Sequence, residues 1–311
     1  MDALQQRIVL VTRRTRLDDL VARLNTIEQA RFHVERLGAD FSDYLAEQAA
    51  YRAAVDAAEA ALRAHGRVQR LERSLVPNFL FPPDCVVVVV GQDGLVANTL
   101  KYLQGQPVVG VNPDPGRWDG VLLPFAVGDL SRIVPEVQAG RRPARAIRMA
   151  QVTLGDGQTL HAVNDLFIGP RSHVSARYQI ALGERRETQS SSGVIVSTGL
   201  GSTGWLRSLL TGAAGITGHT GSAALEALQR AGFPWESPQL HFVVREPFPS
   251  RSTQAGLVFG RIEPGQSLQL VSQMPDYGVI FSDGVEQDFL EFNAGAQATV
   301  GLAARTGQLV Q

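Results

Sequence analysis

The spacing of apolar and polar positions divides the chain into two textures. Up to about residue 143, short apolar runs separate longer stretches whose apolar residues recur at helical spacing. "RIVLV" (7–11) reads as a β-branched strand, and residues 17–65, rich in Ala, Leu, Arg and Glu, read as helical. Gly38 is placed as a helix stop, and Asp40 or Ser42 as the cap of the next helix. "RVQRLER" (67–73) and "CVVVVV" (85–90) read as strands. The second lacks polar alternation, which suits a strand covered on both faces. A helix in "LVANTLKYL", a strand in "PVVGVN" (107–112) and a helix around 127–138 follow. This order predicts right-handed βαβ units in an open, mainly parallel sheet. Ligands on such sheets bind at the carboxyl ends of the strands, where the loops 91–94 and 112–120 fall.

From residue 144 the pattern shifts to a period of two. "ARAIRMAQVTLGDGQTLHAVNDLFIG" alternates and carries a Gly-Asp-Gly hairpin signal. Later segments, from "SARYQIAL" to "QATVGLA", alternate likewise, and one or two helices interrupt them at 203–231. The expected fold is an α/β domain over 1–143 that binds nucleotide or phosphate, then a β-rich, sandwich-like substrate domain over 144–311. The basic loop "QAGRRPARA" marks the boundary, and the C-terminal tail is a candidate to pack back on the first domain.

Composition narrows the chemistry. The formal net charge is −1 over 311 residues, so no global field calls for nucleic acid or an anionic membrane. A single cysteine, Cys85, excludes a disulfide framework and a thiolate zinc site. The six histidines (33, 65, 161, 173, 219 and 241) lack ligand spacing, and no Gly-x-Ser-x-Gly elbow supports a serine hydrolase. No apolar run approaches the roughly 18 residues of a membrane span, and the first residues do not read as a signal peptide. The expected setting is cytoplasmic.

Four loops carry candidate chemistry. In Gly91-Gln92-Asp93-Gly94, two glycines allow amides to approach a phosphate, a helix from about Leu95 adds its dipole, and Asp93 suits a hydroxyl base or a ligand for the magnesium that accompanies ATP. An ordinary βα turn with Asp as cap explains the same residues. The loop "GVNPDPGRWDG", with Asn112, is stiff and polar at a strand end, or simply a tight connection. "STGLGSTGW" (197–205) sets hydroxyls and glycines before a helix, offering donors to a phosphate or nucleotide. Asn164-Asp165 can grip two neighbouring hydroxyls, as on a ribose, or form a bulge. "FSDGVEQ" (281–287) reads first as a hairpin turn.

Together these loops resemble the NAD kinase family. Gly91-Gln92-Asp93-Gly94 resembles its Gly-Gly-Asp-Gly motif, Asn164-Asp165 its Asn-Glu, "STGLGSTGW" its Ser-Thr-Pro-Thr-Gly-Ser-Thr-Ala-Tyr loop, and Asp283-Gly284 its late Asp-Gly. "GVNPDPGRWDG", "SSGVIVSTGLGS", "VVREPF" and "RLGADFSDY" are closest to the branch represented by mitochondrial NAD kinase. The resemblance implies phosphoryl transfer from ATP, with Mg2+, to the 2′-hydroxyl of the adenosine ribose of NAD. Asp93 would be the base, and Gly91, Gln92, Gly94 and Asn112 would line the phosphate loop. Asn164 and Asp165 would hold ribose hydroxyls; Thr203, Gly204 and Trp205 would contact adenine, with Ser208 nearby; Thr198, Ser202 and Asp283 would belong to the same substrate site. It also implies a homodimer or larger homo-oligomer. Gln92, Leu95, Asp165 and Ser192 depart from the common family pattern. These departures leave two other readings: a non-catalytic adenine-nucleotide binder, and a kinase of another nucleoside or nucleotide hydroxyl.

Overall fold

A computed structural model describes residues 6–218 and 221–311, so His219 and the first five residues lie outside the described chain. Two compact units are present: one runs up to Arg145 and takes in Gly307–Gln311, the other is Ala146–Thr306.

In the first unit, β1 (Arg7–Thr12) leads into three helices, α1 (Arg16–Leu24), α2 (Ile27–Arg36) and α3 (Phe41–Arg63), and then β2 (Arg67–Glu72). Polar caps punctuate the helical region: Thr15 and Asp18 form a reciprocal capping box, Thr26 accepts from the Gln29 amide, and Asp40 accepts from the Ser42 amide. Gly38, at φ 74°, follows the end of α2, where its missing Cβ permits the left-handed turn. β3 (Val86–Val90), α4 (Asp93–Leu100), β4 (Pro107–Val111) and α5 (Leu130–Gln138) complete the unit. The strands lie parallel in the order β2–β1–β3–β4, and Gln308 and Leu309 pair in parallel with Pro107 and Val108. All five valines of β3 are buried, as expected of a strand flanked by neighbours and covered on both faces. Tyr51, Val55, Ala58 and Leu62 on α3 cover one face, against Ile8, Leu10 and Val88.

The second unit holds nearly all of β5 (Ala144–Leu154), then β6 (Thr159–Ala162), β7 (Asp165–Pro170), β8 (Ala176–Leu182), β9 (Arg185–Ser191) and β10 (Val194–Ser197). Helices α6 (Trp205–Thr217) and α7 (Ala223–Ala231) follow. Then come β11 (Leu240–Val244), β12 (Phe259–Ile262), β13 (Leu268–Ser272), β14 (Gly278–Ser282), β15 (Val285–Glu291) and β16 (Gln297–Val310) up to Thr306. One antiparallel sheet runs β12–β11–β10–β7–β14–β15, and a second joins β16, β13, β8 and β9, with the β5–β6 hairpin beside β16. Their inner faces share one core, with Ile168, Val196 and Phe242 on one side and Tyr178, Ile180 and Leu270 on the other.

Candidate functional site

At the carboxyl end of β3 the chain turns less openly than the sequence suggests. Helix α4 starts at Asp93 rather than about Leu95, and the Leu95 and Val96 amides already bond the Gln92 carbonyl at 2.8 and 3.3 Å. The turn therefore offers fewer free amides than a loop spanning all four residues. Gln92 is the N-cap at φ −112° and ψ 162°, extended backbone that carries no strain. Gly91 is needed for space: a Cβ there would stand 2.7 Å from Leu95 Cδ2. The Asp93 carboxylate accepts from two main-chain amides, Leu122 at 2.7 Å and Val121 at 3.2 Å. Asn112 is similarly committed. Its Oδ1 accepts from the Asp114 amide at 3.0 Å and its Nδ2 donates to the Trp118 carbonyl at 2.9 Å. A cavity of about 310 Å³ remains between these turns, lined by Gln92, Asp93, Gly94, Trp118, Asp119 and Gly120 among others. Arg117 anchors the second turn to Asp43 at 2.7 Å. The guanidinium groups of Arg117 and Arg16 hold the Asp43 carboxyl down at about 2.

The second unit builds a denser cluster. Asn164 and Asp165 do not sit mid-strand: the chain breaks at Val163 and Asn164, and β7 begins at Asp165. The cause is Asp283, on the turn between β14 and β15. Its carboxylate accepts the amides of Val163 (3.1 Å), Asn164 (2.6 Å) and Asp165 (3.3 Å), so these groups cannot join a ladder. Asp283 itself stands at φ 55° and donates its amide to the Asp165 carbonyl at 3.0 Å. Asp165 lies opposite Ser197 in the β7–β10 register. It is half-buried as a residue, yet its Oδ1 is sealed from solvent and has no hydrogen-bond donor. Burial pushes its carboxyl up to about 7; the Ser197 hydroxyl opposes this and the Asp283 charge adds to it. A cavity of about 360 Å³ is lined by Asn164, Asp165, Gly201, Thr203, Trp205 and Asp283 among others.

The hydroxyl-rich loop after β10 is largely turned inward. Ser197, Thr198 and Ser202 are fully buried. Thr198 Oγ1 donates to the Val163 carbonyl and accepts from the Gly201 amide, at 2.5 and 3.2 Å. Ser202 Oγ donates to the Gly199 carbonyl and accepts from the Phe233 amide, at 2.7 and 3.0 Å. These two hydroxyls shape the turn instead of facing a ligand. Thr203 and Gly204 are exposed, and the exposed Ser208 donates to the Gly204 carbonyl at 3.2 Å. Gly201 permits a close backbone approach, since a Cβ there would lie 2.3 Å from the Asn164 carbonyl oxygen. Trp205 opens α6 and stacks on Phe167 with ring centroids 5.9 Å apart.

Sequence reasoning passed over that aromatic wall. Phe167 and Phe281 pack with centroids 4.8 Å apart, and Arg245 lies over the Trp205 ring at 5.5 Å. With Arg171 they border a further cavity of about 370 Å³. Phe167 lies two residues beyond Asp165 on the same strand, and that period was the available signal. Among the described residues no group of three or more His, Cys, Asp or Glu is arranged to hold a metal ion.

No family model matches the chain, and no curated protein matches its sequence. Solved structures do match. An NAD kinase from Archaeoglobus fulgidus in complex with ATP has a TM-score of 0.59 at 15% identity, covering 98% of this chain and 94% of that one. Yeast NADH kinase complexed with NADH has a TM-score of 0.58 at 14% identity, covering 98% and 83% respectively. The likeness is one of fold, and it extends over nearly the whole chain.

Proposed function

We propose that the protein is an NAD(H) kinase-type phosphotransferase, which moves the γ-phosphoryl group of ATP to the 2′-hydroxyl of the adenosine ribose. The observation that carries the proposal is the cluster at the start of β7. Asn164, with an amide donor and acceptor, the carboxylate-bearing Asp165 and the aromatic Trp205 line one cavity. A ribose diol beside a purine presents the complementary groups: hydroxyl donors and a planar base. The same residues match the order of motifs of NAD kinases, and the two structural neighbours are an NAD kinase and an NADH kinase.

Phosphoryl transfer requires positioning and charge neutralisation more than covalent assistance. Under this reading, Asn164 and Asp165 orient the ribose, and Thr203, Gly204 and Trp205 receive the base. Ser208, Thr198 and Ser202 support that loop from behind. In the first unit, Asp93 and Asn112 fix the turns around the proposed phosphate cavity, with Gln92 and Gly94 along its wall and Gly91 just before them. Magnesium enters as part of the MgATP substrate. The residues present do not form a protein cage for it, because no triad of acidic side chains is assembled among the described residues and Asp93 is occupied by two amides. Finer placement in the mitochondrial-type branch, a homo-oligomeric state and a cytoplasmic setting belong to the same proposal.

A non-catalytic nucleotide binder is the second reading, and the engagement of Asp93 with two main-chain amides favours it. Incubation of the purified protein with ATP, magnesium and either NAD or NADH separates the two. Formation of NADP or NADPH is the expected result. Dinucleotide binding by calorimetry without product would establish the binder.

A further inference from the structure

We propose that Asp43, acting through Arg117, is a positioning residue for the phosphates of the nucleotide. The assignment rests on the phosphate cavity of the kinase reading above and gives the helical region after β1 a part in it.

The cavity beside the β3 turn is walled on its second side by Trp118, Asp119 and Gly120. Side chains tie down both ends of that stretch. Beyond it, Asp93 holds the Val121 and Leu122 amides. Before it, Arg117 donates from Nη2 to Asp43 Oδ1 at 2.7 Å, and its Nε lies 3.5 Å from Asp114 Oδ2. Asp114 belongs to the same turn, so of these two partners only Asp43 links Arg117 to another element. Asp43 lies in the first turn of α3, 74 residues earlier in the chain.

Helix α3 also reaches the first wall. Asp43, Glu47 and Tyr51 are spaced four residues apart and so lie on one face of the helix. The Tyr51 hydroxyl accepts from the Arg13 amide at 2.8 Å and donates to the Val90 carbonyl at 2.9 Å. It thereby joins the last residue of β3, where the Gly91-Gln92-Asp93-Gly94 turn begins, to the chain leaving β1. Glu47, buried, accepts from Arg13 at 3.0 Å and from Arg16. Arg16 in turn donates to Asp43 Oδ2 at 2.8 Å. One helix thus holds both turns around the cavity, with Tyr51 at one and Asp43 at the other.

The two contacts differ in kind. Tyr51 and Glu47 are buried, and their loss would disturb the core. The side chains of Asp43 and Arg117 are 43% and 27% exposed. An ion pair this open stabilises a fold only weakly. Arg117 first, then Arg16, hold the Asp43 carboxyl at about 2, so its charge persists through neutral pH. Displacement of a binding wall by about 1 Å, in contrast, can cost roughly 100-fold in rate. A pair that adds little stability, yet fixes the chain at the edge of the cavity, is suited to positioning.

The test compares the wild type with Asp43→Ala, Arg117→Ala, the double variant and Asp43→Glu. It measures ATP-dependent NADP formation, MgATP binding by calorimetry and thermal unfolding. Asp43→Ala should lower kcat/KM for MgATP about tenfold or more, with KM for NAD within about twofold. Its Tm should stay within about 3 °C of the wild type. Arg117→Ala should match it. The double variant should lose no more than about twofold beyond either single one, since all three break one link. Asp43→Glu, which keeps a charged acceptor for Arg117, should return to within about threefold of the wild type. Turnover of Asp43→Ala within about twofold of the wild type overturns the assignment, as do losses that multiply in the double variant. A loss shared equally by NAD and accompanied by a lower Tm also overturns it, because a purely structural contact gives that pattern. A wild type that forms no product overturns the kinase reading, and MgATP affinity then decides the assignment. It stands if Asp43→Ala weakens that affinity about tenfold and falls if the affinity is unchanged.

Discussion

At the scale of single residues, Gln92 and Gly201 show two different ways to depart from, or depend on, glycine. Gln92 stands where related motifs have glycine, yet its backbone is extended, so no left-handed conformation demands a bare Cα. Its side chain makes no capping bond to α4. Gln92→Gly is therefore expected to change stability by less than about 0.5 kcal/mol in urea denaturation, since glycine is itself an acceptable N-cap. NADP formation should be unchanged or higher. A collapse in turnover would instead give the glutamine a direct contact with substrate. Gly201 has the opposite logic. Its φ is negative, but the Asn164 carbonyl occupies the space a side chain would need. Sequence alone shows both glycine-rich loops and cannot tell which glycine serves conformation and which serves clearance.

Among elements, what the sequence disclosed depended on which face each strand buries. The five valines of β3, the continuously apolar β10, β11 and β14 and the alternating β8 and β13 were legible because burial leaves an apolar run or an apolar repeat in each. β9, "RRETQSS", and β15, "VEQDFLE", were not read as strands. Both lie at a sheet edge, where polar and charged side chains are favoured and the apolar repeat is lost. The site followed the same rule. Its loops were visible by composition, but the inward turn of Thr198 and Ser202 depends on Val163 and Phe233, partners that only the fold brings together. The break before β7 is likewise set by Asp283, 118 to 120 residues along the chain. Asp283→Gly tests that element directly, because glycine tolerates the positive φ while the carboxylate is lost. Hydrogen bonds to a charged acceptor contribute about 1.5–3 kcal/mol each, though not additively, so a stability loss on the order of 2–3 kcal/mol is expected. Amide exchange at 163–165 should accelerate, and dinucleotide affinity should fall with it. Unchanged exchange there would remove Asp283 as the residue that holds the break.

For the whole molecule, a net charge of −1 gives no strong general repulsion, so the pH dependence of stability near neutrality falls to a few buried groups. His161 and His241 are both lowered to about 4, chiefly by burial, with Arg305 and Arg261 adding to the respective shifts. As pH falls below the ordinary value of 6.5, the unfolded chain takes up these protons and the folded chain does not. The histidines therefore contribute a loss of stability between about 6.5 and 4. Asp165, raised to about 7, works against them: its contribution is fully present below 3.8 and is lost as pH rises through about 7. Two groups against one leave a net fall in Tm on acidification from pH 6.5 to 4.5, above the range where depressed carboxylates such as Asp43 titrate. His241→Phe should flatten that fall, and it also removes a buried Nδ1 that has no hydrogen-bond partner between the Phe233 and Phe259 rings. Asp165→Asn should steepen the fall and raise Tm at pH 8, where the wild type must hold a buried charge. Thermal unfolding across that range checks both signs at once. A Tm at pH 8 that drops in Asp165→Asn would show that the carboxylate is stabilised as an anion, contrary to its burial and to the Asp283 charge beside it.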